Sequence, residues 1–250
     1  MLRTRVIPVV LIDGYSVLKT VQFSDRRNLG NPITVARVYN TRNVDELILL
    51  DIDASKENRS IDLFTIQDIA AECFMPLTIG GGLKTMDDIK SVLERGADKV
   101  VLNSAALDNP EIVKESSLVF GAQCIVGSVD VKIQDGEYKI FSRGQVLDRD
   151  PISHIKDLQS WGVGEIFVNS VDLDGTMSAP DMKLISEVTK VCKVPLIYAG
   201  GVKEPKDYIK PIKAGVSAVA AASIFHFTRW TPELCKKELQ ANGIPVRFSL

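Results

Sequence analysis

The sequence predicts an α/β protein: a (β/α)8 (TIM) barrel with a two-fold half-barrel repeat. Three observations lead there. Short continuous apolar runs alternate with segments of helical apolar spacing, eight runs in all, as strands buried on both faces of a parallel sheet would. The chain has 250 residues, the usual size of one such barrel or of two small domains. The third observation is a repeat. Pro76 to Lys84 (PLTIGGGLK) has a near-copy at Pro195 to Lys203 (PLIYAGGVK), and the same spacing of 119 residues carries Glu46 onto Glu165, Asp53 onto Asp172, Asp88 onto Asp207, Gly96 onto Gly215 and Ser104 onto Ser223. Solenoid units repeat every 20–50 residues or so, and this period is far longer. It is half a domain. A single domain over residues 1–250 is expected, with halves at about 1–119 and 120–250.

In order, Val6–Ile12 is an apolar run ended by Asp13-Gly14, hence a buried strand and a turn. A polar loop is expected from Lys19 to Asn31, then a helix over Ile33–Tyr39 opened by Pro32. Glu46–Asp51 reads as strand two, Ile61–Cys73 as a helix and Leu77–Ile79 as strand three, stopped by Gly80-Gly81-Gly82. Met86–Arg95 is a helix closed by Gly96, Lys99–Asn103 strand four, and Asn109-Pro110 starts the next helix, through about Ser117. Cys124–Asp130 is strand five. Asp135-Gly136 then turns a hairpin between Val131–Gln134 and Tyr138–Ser142, an insertion relative to the first half. Ile152–Trp161, Met182–Val191, Asp207–Ala214 and Pro232–Ala241 read as helices; Glu165–Ser170, Leu196–Ala199 and Ala218–Ala222 read as strands six to eight.

Composition narrows the function classes. Hydrophobic residues at 45% and charged residues at 25% fit an ordinary globule, and a net charge of −2 gives no bulk attraction for nucleic acid or an anionic membrane. Cys73, Cys124, Cys192 and Cys235 form no CxxC, so reduced thiols are expected, with no metal site and no cofactor. No stretch reaches the roughly 18 apolar residues of a membrane span. The first twelve residues lack a small-residue cleavage site after their apolar run, so they read as a strand rather than a signal peptide. A cytoplasmic location is expected.

In such barrels chemistry sits where strands end. Gly80-Gly81-Gly82 and Gly200-Gly201 stand there, where backbone amides can close on an anion. Asn103-Ser104 and Ala222-Ser223 end neighbouring strands and add donors. Each half would build one phosphate site, which suggests a ligand with two phosphates. The plainer alternative is that these glycines only make tight turns. The acidic strand ends are Asp51, Asp53, Asp130, Asp172 and Asp174, with Asp130 the best candidate for acid–base work. Its counterpart in the first half is Leu11. Lys19 and Lys132 lie just beyond the strand ends and could contact a phosphate. The alternative for Asp130 is a structural bond to a loop amide. At the opposite end, Arg5, Glu46, Lys99 and Glu165 start strands one, two, four and six, and could close an ion ring across the floor. Read plainly, they are surface pairs worth ~0–1 kcal/mol.

The stretches Asp45–Ile52, Gly80–Gly82, Gly96–Val100, Asn103–Ala106, Asp172–Thr176, Ala221–Phe227 and Gly243–Arg247 resemble, from end to end of the chain, HisF, the cyclase subunit of imidazole glycerol phosphate synthase. The resemblance implies a two-fold barrel and a heterodimer with a HisH-type glutaminase on the floor. It implies ammonia entering through a gate at Arg5, Glu46, Lys99 and Glu165, with Asp98 at the partner interface. Asp174 and Gly175 then join Gly81, Gly82, Asn103, Ser104, Gly200, Gly201, Ala222 and Ser223 as expected phosphate contacts, and Asp130 and Lys19 as polar actors. The chain departs from the family pattern where an aspartate on strand one is expected: Leu11 stands there, with Asp13 two residues on. Asn169, Ala199 and Ile133 replace a Thr, a Ser and an Arg. This pattern resembles a HisF-like branch associated with surface-polysaccharide genes, whose subunits are thought to supply ammonia for amidating a sugar with the help of a separate amidotransferase protein. The resemblance therefore implies a phosphorylated or nucleotide-linked sugar as acceptor. The alternatives are an imidazole glycerol phosphate synthase cyclase of histidine biosynthesis acting on a ribotide, and a catalytically silent ammonia conduit.

Overall fold

The computed structural model describes residues 3–248; Met1, Leu2, Ser249 and Leu250 lie outside the described residues. In chain order the first half holds β1 (Arg5–Ile12), β2 (Val17–Lys19), β3 (Arg27–Gly30), α1 (Pro32–Asn40), β4 (Leu47–Asp51), α2 (Leu63–Glu72), β5 (Leu77–Gly80), α3 (Met86–Glu94), β6 (Lys99–Leu102), α4 (Ser104–Asp108) and α5 (Pro110–Phe120). The second half continues with β7 (Ile125–Gln134), β8 (Glu137–Ser142), β9 (Gln145–Leu147), α6 (Pro151–Ser160), β10 (Glu165–Ser170), α7 (Met182–Thr189), β11 (Leu196–Ala199), α8 (Ile209–Lys213), β12 (Ala218–Ala221), α9 (Ser223–Phe227) and α10 (Pro232–Ala241). Eight of these strands are parallel and close on themselves in the order β1, β4, β5, β6, β7, β10, β11, β12, with β12 returning to β1. This is the (β/α)8 barrel that the alternation predicts.

Strand period explains the two cores. On β1, Ile7, Val9 and Leu11 turn inward and meet Ile48, Val101, Val126, Phe167, Ile197, Ala218 and Ala220 inside the barrel. The alternate residues Val6, Val10 and Ile12 turn outward into the larger core between the sheet and its helices. Helix starts are set by local chemistry. Asn31, Asn109, Asp150 and Thr231 cap helices whose first residue is proline, which needs no N–H there. Thr85 and Asp88 form a reciprocal capping box on α3.

Three expectations need correction. Residues 19–31 are not a plain loop: β2 and β3 fold back as an antiparallel ribbon on the end of β1, with Leu18 paired to Leu11. Two short helices, α4 and α9, follow β6 and β12 where no element is expected; at five residues each they are too short for a periodic signal. The helix expected over Asp207–Ala214 begins as a 3-10 turn at Pro205–Tyr208 and restarts at Ile209. Pro211 then falls in the first turn of α8, where its missing N–H costs nothing. The expected hairpin after strand five is present as β7 and β8, with β9 as a further antiparallel strand on its edge.

Candidate functional site

One large cleft opens at the C-terminal ends of the barrel strands. Its floor is the barrel interior, where Val9, Leu11, Leu50, Val101 and Phe167 end. Its walls carry every expected phosphate contact, Gly81, Gly82, Asn103, Ser104, Asp174, Gly175, Gly200, Gly201, Ala222 and Ser223, together with Asp130. Lys56, Phe23, Phe141 and Arg143 also reach it, none of them a sequence-stretch candidate. Phe23 and Arg143 belong to the β2–β3 and β8–β9 turns, and both take left-handed backbone angles. Only the fold back over the cleft brings them there, so strand-end reasoning misses them.

The glycines need two separate explanations. Gly81 and Gly201 have φ of 108° and 79°, and a Cβ on either would lie 2.2 Å from the Asp51 carbonyl oxygen or 2.0 Å from that of Ala179. No other residue fits there, with or without a ligand. Their amides are also less available than expected. The Gly201 N–H donates to the Leu173 carbonyl at 2.9 Å and the Gly82 N–H to Ser55 Oγ at 3.2 Å. Donors that keep their first-turn position are those of Ser104 and Ser223, the opening residues of α4 and α9, where helix N–H groups find no partner within the helix. Ser104 Oγ shares a hydrogen with Ser142 Oγ at 3.0 Å.

Four of the five strand-end acids are spoken for. Arg59 bridges Asp51 at 2.6 and 2.9 Å. Arg26 forms a two-pronged pair with Asp53, which holds that carboxyl below the usual carboxylate range. Asp172 accepts the Ile133 N–H at 2.7 Å. Asp174 is held by Thr20 Oγ1 at 3.1 Å and by Lys19 Nζ at 3.4 Å. Asp174 therefore faces the cleft with its carboxylate tied to Thr20 and Lys19, and its own N–H donates to the Val171 carbonyl. Lys19, expected as a polar actor at the mouth, is likewise buried, with its Nζ bonded to Asp174 and the Thr20 carbonyl. The barrel's β2 ribbon, invisible in the polar sequence, is what turns it inward.

Asp130 differs from the rest. It ends the inward face of β7, level with Asn169 of β10, and its Oδ2 accepts one hydrogen bond, from Asn103 Nδ2 at 2.7 Å. No cation reaches it among the described residues. Burial and then the nearby Asp174 charge raise its pKa to about 7, against the pull of the Asn103 donor. Across the cleft mouth the corresponding strand offers only Leu11, buried and apolar. Asp13 does not take the empty place: its Oδ1 accepts the N–H groups of Tyr15 and Ser16 at 3.2 and 2.9 Å and so shapes its own turn.

On the opposite end, Arg5, Glu46, Lys99 and Glu165 close a ring. Arg5 bonds Glu46 at 2.7 Å and also Glu165, and Lys99 bonds Glu46 at 3.0 Å and Glu165 at 2.9 Å. Thr78 Oγ1 donates to Glu46 at 2.6 Å. Both carboxylates are buried, so these are not simple surface pairs. Asp98, beside the ring on the chain, lies exposed and accepts the Leu77 N–H at 2.8 Å.

Fold and site together define a (β/α)8 barrel with an ion ring closing its floor and, at its mouth, a cleft where Asp130 alone of the lining acids meets no cation among the described residues. The chain belongs to the histidine biosynthesis protein family, whose model matches residues 5–231. A relative from Campylobacter jejuni, which carries the provisional name of imidazole glycerol phosphate synthase subunit hisF2, is 43% identical over 248 residues, 99% of this chain and 100% of its own length. The imidazole glycerol phosphate synthase subunit HisF of Exiguobacterium sibiricum is 41% identical over 249 residues, 99% of this chain and all of its own. Among the described residues, no helix is long and apolar enough to cross a membrane.

Proposed function

We propose that this chain is the HisF-type, synthase-side subunit of a glutamine amidotransferase complex. It takes ammonia from a HisH-type glutaminase docked on the floor and delivers it to the mouth. The observation that carries this reading is the closed ring of Arg5, Glu46, Lys99 and Glu165 beneath an apolar interior that ends at Asp130. An apolar passage favours neutral ammonia over ammonium, whose charge is costly to bury. Exposed apolar side chains support docking at this end: Phe74, just before β5, and Leu118 and Val119, at the end of α5, are 87%, 86% and 66% exposed on segments that lead into the barrel floor.

At the mouth, an acid titrating at about 7 can accept a proton from an attacking nitrogen or return one to a leaving group near neutral pH. Ser104 and Ser223 would hold phosphate groups of the acceptor. With Leu11 in the place equivalent to Asp130, the cleft has one acid free of a cation where a two-acid cyclization would use a pair. This supports an acceptor other than the histidine-pathway ribotide: a phosphorylated or nucleotide-linked sugar, amidated there directly or through a third amidotransferase protein, in surface-polysaccharide synthesis. A second reading, the imidazole glycerol phosphate cyclase, is favoured by the names of both relatives and by a cleft that keeps Asp130 and both serines.

A direct assay separates the two. The native chain and Leu11→Asp are given ammonium salt and the phosphoribulosyl-formimino ribotide, with no glutaminase. No turnover by the native chain and measurable turnover by Leu11→Asp are expected. Native turnover at about 1 s⁻¹ or more, a rate ordinary for enzymes, would make the chain a cyclase and end the sugar reading.

A further inference from the structure

We propose that the Asn103 side chain is a positioning residue for Asp130: it holds that carboxylate in place as the proton acceptor of the mouth and binds no ligand phosphate. This rests on the reading of Asp130 as the reacting acid, and it changes what the asparagine is for.

Asn103 stands at the N-cap of α4. An asparagine there ordinarily turns its side-chain oxygen onto the N–H groups of the first helical turn. This one makes no such bond, and its backbone angles, φ −117° and ψ −86°, carry the side chain away from the helix. Nδ2 instead donates to Asp130 Oδ2 at 2.7 Å. Oδ1 is left buried, with no partner among the described residues. An orphaned buried carbonyl and a forgone cap both cost stability, and a short bond to a carboxylate is the one gain that stands against them. A side chain meant for a phosphate would leave Nδ2 open to the cleft.

The repeat supplies a control within the same chain. The position equivalent to Asn103 is Ala222, the N-cap of α9, and the position equivalent to Asp130 is Leu11 on the adjoining strand β1. Both serines that follow, Ser104 and Ser223, are present. Thus the backbone and hydroxyl features suited to an anion occur in both halves. The amide side chain occurs only where the acid does. A phosphate role for the Asn103 side chain would leave its absence beside Ser223 unexplained; a role toward the acid explains both halves.

The other two acids that line the cleft give the physical reason. Asp51 and Asp174 are each met by a cation, and a cation beside Asp130 would hold it permanently ionised. A neutral amide orients the carboxylate and favours its charged form only mildly, so the acid stays able to exchange a proton.

The test follows the Asp130 carboxyl by 13C NMR as pH is raised, with Asp130→Asn assigning the signal, in the native full-length chain, Asn103→Ala and Asn103→Asp. It needs neither glutaminase nor acceptor, so its outcome is independent of whether the chain delivers ammonia. Removing the donor in Asn103→Ala is expected to move the Asp130 midpoint upward by about one pH unit. Asn103→Asp, which makes two carboxyls share the place, is expected to move it further. Affinity for inorganic phosphate, read by calorimetry, is expected to stay within twofold in Asn103→Ala and to fall in Ser104→Ala. An Asp130 midpoint that does not rise in Asn103→Ala, or a tenfold loss of phosphate affinity in that variant, overturns the proposal. Alanine already occupies the equivalent N-cap, so the variant has a native precedent for its fold; should it fail to fold, Asn103→Leu, close in size and without a donor, is read by the same two criteria.

Discussion

Asp130 reaches no cation among the described residues, and burial works against its charge, so its place in the fold carries a measurable cost. Its carboxyl titrates at about 7 in the folded chain and at about 3.9 in an unfolded one. Between these values the folded state holds the proton longer, so stability falls as pH rises through that window and is lowest above it. Asp130→Asn removes the charge and keeps the shape. The expected result is a variant no different from native near pH 4 and more stable by ~1–3 kcal/mol at pH 8, measured as urea midpoints at both values. Equal stability at pH 8 would mean that water or loop motion solvates the acid. Leu11 shows the reverse case: an apolar residue at a strand end that stands out only by comparison, with its repeat partner or with the family pattern. The spacing of the glycines reads as an anion cradle, and across the loops Gly82 and Gly201 donate their N–H groups to Ser55 and Leu173. Sequence shows where a glycine stands, and not which acceptor its amide meets across a loop.

Among the elements, those with a period were legible. All eight barrel strands and the long helices fall within a few residues of where apolar spacing and caps put them, because burial on both faces and proline at a first turn are local facts. The β2–β3 ribbon, α4 and α9 were not. Each is short, and each exists because a neighbouring strand end gives it something to pair with or stack on. A tie of the same long-range kind fastens the last helix. Lys236 of α10 is fully buried, and its Nζ donates to Asp45 Oδ1 and the Arg247 carbonyl, both at 2.7 Å, while Asp45 Oδ2 accepts the Val6 N–H at 2.9 Å. One lysine thus joins α10, the approach to β4, the start of β1 and the C-terminal segment. Lys236→Met keeps the apolar stem and removes the charge, leaving Asp45 buried and unpaired. A loss of ~3–5 kcal/mol in urea unfolding is expected. A loss below ~1 kcal/mol would show that Asp45 rehydrates and that the tie is dispensable.

At the scale of the whole molecule, the two ends of the barrel do opposite things with charge. The mouth pairs off its acids and leaves one; the floor balances two cations against two carboxylates so that none is left. Read as a duplicated half-barrel, the chain supplies the ring's carboxylates from equivalent positions, Glu46 and Glu165, and its cations from positions that are not equivalent, Arg5 and Lys99. The ring therefore has a fixed side and a yielding side. Arg5 holds its carboxylates with a planar fork, whereas Lys99 holds them with a point charge on a flexible stem. If the ring opens, swinging Lys99 outward would leave Arg5 bridging both carboxylates. Lys99→Ala removes that side permanently. If the ring admits ammonia, reconstitution of this variant with a HisH-type glutaminase should still bind the partner, since Phe74, Leu118 and Val119 are untouched. More of the ammonia released from glutamine should then escape to solvent: the ratio of product formed at the mouth to glutamine hydrolysed is expected to fall severalfold. The rate with added ammonium salt, which enters from the mouth side, is expected to hold within about twofold. A fall in both rates together would mark Lys99 as a brace for the barrel rather than a moving part. An unchanged ratio would mean that ammonia reaches Asp130 by a path other than the barrel axis.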